Sequence, residues 1–146
     1  DQLILNQAID NFKINSYSQS LDIKNFDVSF ARGLSLEDGA ATLTDFTASI
    51  IGETLTSILS NSKIENIKII TCGGGRKNKF LIDKIKKKIS LNIDIIPIDK
   101  YGINGDFTES QAFAFLAIRT YKNLPISFPS TTNCKSPTVG GEILEN

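Results

Sequence analysis

Residues 69–78 read IITCGGGRKN. Three adjacent glycines, Gly73, Gly74 and Gly75, are costly to order, because glycine loses more conformational freedom on folding than any other residue. They follow an isoleucine-rich run and lead into a helical one, which places them at a strand-to-helix turn. A tight turn there needs one glycine. Three clear the backbone of side chains, so that a phosphate or a ribose can approach the N–H groups of a helix start. Arg76 and Lys77 either help to neutralise such a phosphate or are ordinary exposed bases at a helix start. Asn78 reads first as a helix cap and second as a ligand contact. A dinucleotide fingerprint, GxGxxG, would require glycine where the chain has Asn78, although Asp99 stands where a ribose-binding acid would. A phosphate loop ending in Gly-Lys-Ser/Thr is also missing. Glu109 opens an otherwise apolar helix. There a carboxylate either complements the helix dipole or accepts hydroxyl protons from a polyhydroxylated ligand.

The elements that must position these residues follow from periodicity. Leu3, Leu5, Ala8, Ile9 and Phe12 predict a short helix over 3–12. NSYSQSLD reads as a loop, and FDVSF at 26–30 as a short strand or a helical turn. SLED at 35–38 is a helix start, with Ser35 as cap and Asp38 completing a weak capping box. Helical spacing then runs from Leu43 to Ile58, predicting a helix over about 37–60. NSKIEN interrupts, IKIITC at 67–72 is a strand, and Leu81, Ile82, Ile85 and Ile89 mark one helix face. The KIKKK run at 84–88 reads as a solvated helix face, with no interleaved aromatics to suggest nucleic acid. NIDIIPI at 92–98 is a second strand, so strand, helix and strand make a parallel, right-handed unit. Residues 99–106 are a loop. FTESQAFAFLAIRTY at 107–121 is apolar nearly all round and is expected to be a buried helix. Residues 123–146, rich in Pro, Ser and Thr, read as an irregular tail.

In an open parallel sheet, ligands bind beyond the carboxyl ends of the strands. Gly73–Gly75, Asp99, Asp106 and Glu109 all follow such ends, so topology alone predicts one shared edge. The 146 residues carry a formal net charge of zero, which gives no overall pull toward nucleic acid or anionic lipid. With no histidine and two isolated cysteines, Cys72 and Cys134, no zinc site is expected. The cysteines are expected as reduced thiols in a cytoplasmic protein, with Cys72 packed as a small apolar residue. No apolar run reaches the roughly 18 residues of a membrane span, and no signal peptide is visible. Two strands are too few for a self-sufficient sheet, and methionine is absent altogether. Both observations predict a fragment or a processed form.

Five segments in order carry a resemblance: SLD…F at 20–26, GLSLEDGAATLTDFTA at 33–48, CGGGRKN at 72–78, GDFTESQAFAFLAIRT at 105–120 and LPISFPSTTN at 124–133. Together they resemble the carboxyl-terminal part of the anhydro-N-acetylmuramic acid kinases, over nearly the whole chain from residue 20. The resemblance implies an α/β fold, part of a ribonuclease-H-like lobe of the actin-like sugar-kinase ATPase class. Residues 1–34 would belong to an incomplete lobe, 35–122 to the nucleotide-contacting core, and 123–146 to the tail. It also implies ATP and Mg²⁺ as cofactors and an amino sugar as substrate. The anhydro ring would be opened by water to give N-acetylmuramate 6-phosphate in cell-wall recycling. Carried over, Gly73, Gly74 and Gly75 lie at ATP with Asn78 beside them, and Glu109 lies near the sugar.

The amino-terminal phosphate loop and the segment carrying the catalytic aspartate have no counterpart in this sequence. The chain alone is therefore expected to be inactive, with an amino-terminal lobe as its missing partner and a homodimer as a further expectation. It also departs from the family pattern at Ile23, where arginine is usual, and at Asn133, where glycine is usual. Two other readings stay open: a different kinase or ATPase of the same superfold, and a non-catalytic binding module that keeps the scaffold.

Overall fold

A computed structural model describes residues 1–13, 23–60 and 66–144. The expected loop over NSYSQSLD and most of NSKIEN lie outside the described residues. The chain divides into two compact units, Asp1–Pro97 and Ile98–Asn146.

In the first unit, α1 (Gln2–Lys13) starts where the Asp1 carboxylate accepts from the N–H groups of Leu3 and Ile4, at 3.0 and 3.1 Å. FDVSF resolves as a 3-10 turn over Ser29–Ala31 rather than a strand. The long helix α2 spans Leu36–Ser60. Ser35 caps it, its Oγ accepting from the Asp38 N–H at 3.1 Å and donating to Asp38 Oδ2 at 3.0 Å. The threonines of α2 do not break it, because their hydroxyls bond back within the helix. Thr44 donates to the Ala40 carbonyl at 2.7 Å and Thr47 to the Leu43 carbonyl at 2.9 Å.

Next come β1 (Ile67–Thr71), α3 (Lys79–Lys88) and β2 (Ile93–Pro97). The strands pair in parallel, from Ile67 opposite Ile93 to Thr71 opposite Pro97. Both therefore leave the sheet level with each other at their carboxyl ends. The α/β class, the parallel strands and the flanking helices all stand as expected.

The helix α2 buries two flanks. Phe46 and Ile50 pack against Leu5 and Ala8 of α1, with Ile9, Phe12 and Phe30 around them. Phe12 meets Phe46 edge-on at 5.7 Å between ring centroids, a favoured aromatic geometry. Ala48 packs against Ile85 and Ile89 at the α3 side, over Ile69, Ile93 and Ile95 of the sheet. Three expectations need correction here. Cys72 is exposed, since pairing of β1 ends at Thr71 and leaves it outside the ladder. The KIKKK run is solvated only in part: Lys86 and Lys87 are exposed, whereas Lys84 and Lys88 turn onto Asp45 of α2. The third concerns the second unit.

There, a 3-10 turn over Ile98–Tyr101 precedes α4 (Thr108–Tyr121). No residue of α4 is buried among the described residues, and Phe113 is 64% exposed. The expectation of a buried helix fails because no described residue of the unit buries Phe113, Phe115 or Ile118. The tail is ordered against the end of α4 by polar contacts. Arg119 Nε donates to the Pro125 carbonyl at 2.6 Å, and Thr120 Oγ1 to the Gly140 carbonyl at 2.7 Å. Ser127 and Thr138 form an antiparallel bridge. The short helix α5 (Pro129–Thr132) ends at Asn133, whose φ of 56° is left-handed. Asparagine tolerates that region better than most residues, so the absence of glycine at this position costs little backbone energy. No helix among the described residues is long and apolar enough to cross a membrane.

Candidate functional site

Directly after β1, Gly73 adopts φ 75° and ψ 177°, a conformation that strongly favours glycine. Gly74 and Gly75 differ. They belong to a 3-10 turn over Gly74–Lys77 and have no positive φ. A Cβ on Gly74 would meet nothing within 4 Å, and one on Gly75 only a Leu81 methyl at 3.8 Å. Neither the backbone nor the packing of this chain demands glycine at 74 or 75.

Two side chains fix the loop. Arg76 folds back, its Nη1 donating to the Gly73 carbonyl at 2.8 Å. Asn78 caps α3, its Oδ1 accepting from the Leu81 N–H at 3.1 Å. Its own N–H donates to the Gly75 carbonyl at 3.1 Å. The cap role expected of Asn78 is met, and its side-chain amide NH₂ remains as a donor beside the glycines.

Beside Asn78 opens a shallow hollow of about 160 Å³, lined by Leu43, Thr44, Thr47, Asn78 and Leu81. Leu43 and Leu81 supply apolar surface. Thr44 and Thr47 have given their hydroxyl protons to α2, so toward the hollow they offer lone pairs only. Sequence reasoning missed these α2 residues. Periodicity shows that they are helical, but not that they flank a loop some thirty residues further on.

The acids of the second unit are arranged locally. Asp99 Oδ1 is 3.4 Å from the Gly105 N–H, and Asn104 Oδ1 accepts from the Asp106 N–H at 3.0 Å. Glu109 lies exposed in the first turn of α4. The glycines and Asn78 thus share one turn of the first unit, whereas Asp99, Asp106 and Glu109 belong to the second.

A parallel strand pair whose glycine loop leads into a capped helix beside a shallow hollow defines an α/β protein. Comparison makes this specific. The family model for anhydro-N-acetylmuramic acid kinase matches residues 11–146, and the chain belongs to that family. A relative from Pelagibacter ubique bearing that name is 50% identical over 99% of this chain and 39% of its own length. Namesakes from Brucella anthropi and Zymomonas mobilis are 38% and 42% identical, over 91% and 86% of this chain and 34% and 33% of their own lengths. The chain therefore spans between a third and two fifths of the relatives it matches.

Proposed function

We propose that this chain is the nucleotide- and sugar-contacting carboxyl-terminal part of a cytoplasmic sugar kinase. The enzyme would use ATP and water to convert 1,6-anhydro-N-acetylmuramic acid into N-acetylmuramate 6-phosphate, a step in recycling cell-wall material. In this reading the fold is part of a ribonuclease-H-like lobe of the actin-like ATPase class. The amino-terminal lobe, with its phosphate loop and catalytic aspartate, comes from the length of the relatives that this chain does not span.

One observation carries the reading. Gly74 and Gly75 are glycines for which the chain's own backbone and packing give no reason. The room they leave suits a group from outside the chain, and the adjacent hollow suits a flat base with polar edges. Gly73–Gly75 would let the ribose and nearest phosphate approach the main chain. Asn78 would donate its amide hydrogen, and Leu43 and Leu81 would face the base. Glu109 would accept hydroxyl protons from the sugar. Among the described residues no group of three or more acids or thiols could hold a metal. Mg²⁺ in this reading arrives on the nucleotide's phosphates, whose charge it neutralises.

Phosphoryl transfer depends on positioning and electrostatics from both sides of the nucleotide. The 146-residue chain alone is expected to release no ADP from ATP, Mg²⁺ and the anhydro sugar, whereas the full-length protein releases ADP in proportion to sugar consumed. Full-length protein that folds but gives a silent calorimetric titration with ATP would overturn the proposal.

A further inference from the structure

The helices α2 and α3 meet along a seam whose middle is made of small residues. Ala48 is fully buried against Ile85 and Ile89. At Gly52 the approach is so close that an added Cβ would sit 2.5 Å from Lys88 Cβ. Small residues bring the two helices close, and the side chains that meet on either flank then help to select the crossing angle. On one flank of the seam, the Asp45 carboxylate accepts from Lys84 Nζ, and Lys88 Nζ lies 3.5 Å from its second oxygen. Lys84 and Lys88 are one helical turn apart, so two points of α3 are tied to one point of α2. On the other flank lies the hollow between Leu43, Thr44 and Thr47 of α2 and Asn78 and Leu81 at the start of α3.

We infer that Asp45 is a positioning residue for the nucleotide. Through Lys84 and Lys88 it holds α3 at one angle against α2, and so sets how far Asn78 and the glycine loop stand from Thr44 and Thr47. The inference rests on the nucleotide reading above. The Asp45 side chain is only 13% exposed, so its interactions are screened less by salt than those of a surface ion pair. Burial pushes its carboxyl up, but the Lys84 hydrogen bond and the Lys88 and Lys84 charges outweigh that and hold it below the ordinary range. The Asp45 carboxylate is therefore ionised at neutral pH.

The test measures ATP and sugar affinity by calorimetry on the full-length protein carrying this chain, well below its unfolding midpoint. Asp45→Asn is expected to weaken ATP binding about fivefold and to leave sugar affinity unchanged. Asp45→Glu, which keeps the charge, restores ATP affinity. In turnover Asp45→Asn raises KM for ATP while kcat holds. A residue that only stabilises the fold would lower the melting temperature without this split. If Asp45→Asn does not fold, Lys88→Ala removes the longer arm of the brace and is read the same way. Unchanged ATP affinity in a folded variant overturns the inference while the nucleotide reading stands. A parent protein that binds no ATP overturns both.

Discussion

Among the described residues the buried apolar side chains, Leu5, Ala8, Phe46, Ala48, Ile50, Ile85 and Ile89, all lie in Asp1–Pro97. The unit Ile98–Asn146 also has a helix rich in apolar residues, yet Phe113, Phe115, Ile118 and Tyr121 of α4 are all more than half exposed. What orders that unit is polar and directional: the Arg119 and Thr120 bonds to tail carbonyls and the Ser127–Thr138 bridge. The contrast teaches that apolar content and core formation are different properties. A helix contributes burial only where a second surface meets it, and α2 has two such surfaces.

The sharpest break of this comparison is a matched pair of truncations. Phe46→Ala, 4% exposed, is expected to cost about 3–5 kcal/mol. Phe113→Ala should stay within about 0.5 kcal/mol. Urea unfolding of each variant measures both, and equal losses would remove the distinction between the units. Next in size is Gly52→Ala, whose methyl has no room beside Lys88. It should cost about 1–3 kcal/mol, together with a visible shift of α3 in a solved structure of the variant.

In the second unit, Arg119 donates to Pro125 and lies over the Phe115 and Phe128 rings, at 5.6 and 5.7 Å. Arg119→Lys loses the planar donor, and about 1–2 kcal/mol of local stability is expected to go with it. Hydrogen exchange should then speed up at Ser127 and Thr138 but not in β1. Exchange that rises everywhere would contradict the separation.

A further, modest loss is expected at Asp45. Its folded carboxyl is held below the unfolded value, so its contribution is present above the unfolded value and is lost as pH falls through the folded one. Asp45→Asn should cost about 1 kcal/mol at neutral pH and flatten the acid limb of the stability curve below about pH 5. A parallel acid limb in both proteins would mean that the brace contributes nothing.

Local features were largely legible in the sequence. The Ser35 and Asn78 caps, the strand lengths and the helix over 36–60 all depend on residues within about four positions of each other. What was not legible depended on distant partners. Ile69 and Ile70 are identical in type and adjacent, yet strand register puts Ile69 against the core and leaves Ile70 52% exposed. The apolar run of α4 looked like core because its sequence cannot show whether a partner surface exists. The glycine loop was legible as a strand-to-helix turn, but the α2 side of the hollow beside it was not.

By itself, then, the sequence determined the order of elements, the parallel strand–helix–strand unit, the glycine turn and the family the chain belongs to, since each rests on neighbouring residues or on motif order. The tertiary structure decided which glycine serves the backbone and which do not, and which face of each element is buried. It also decided that Asp45, 39 residues from Lys84 along the chain, ties α2 to α3. Such pairings depend on how close-packed side chains bring remote segments together, and no local pattern encodes that distance.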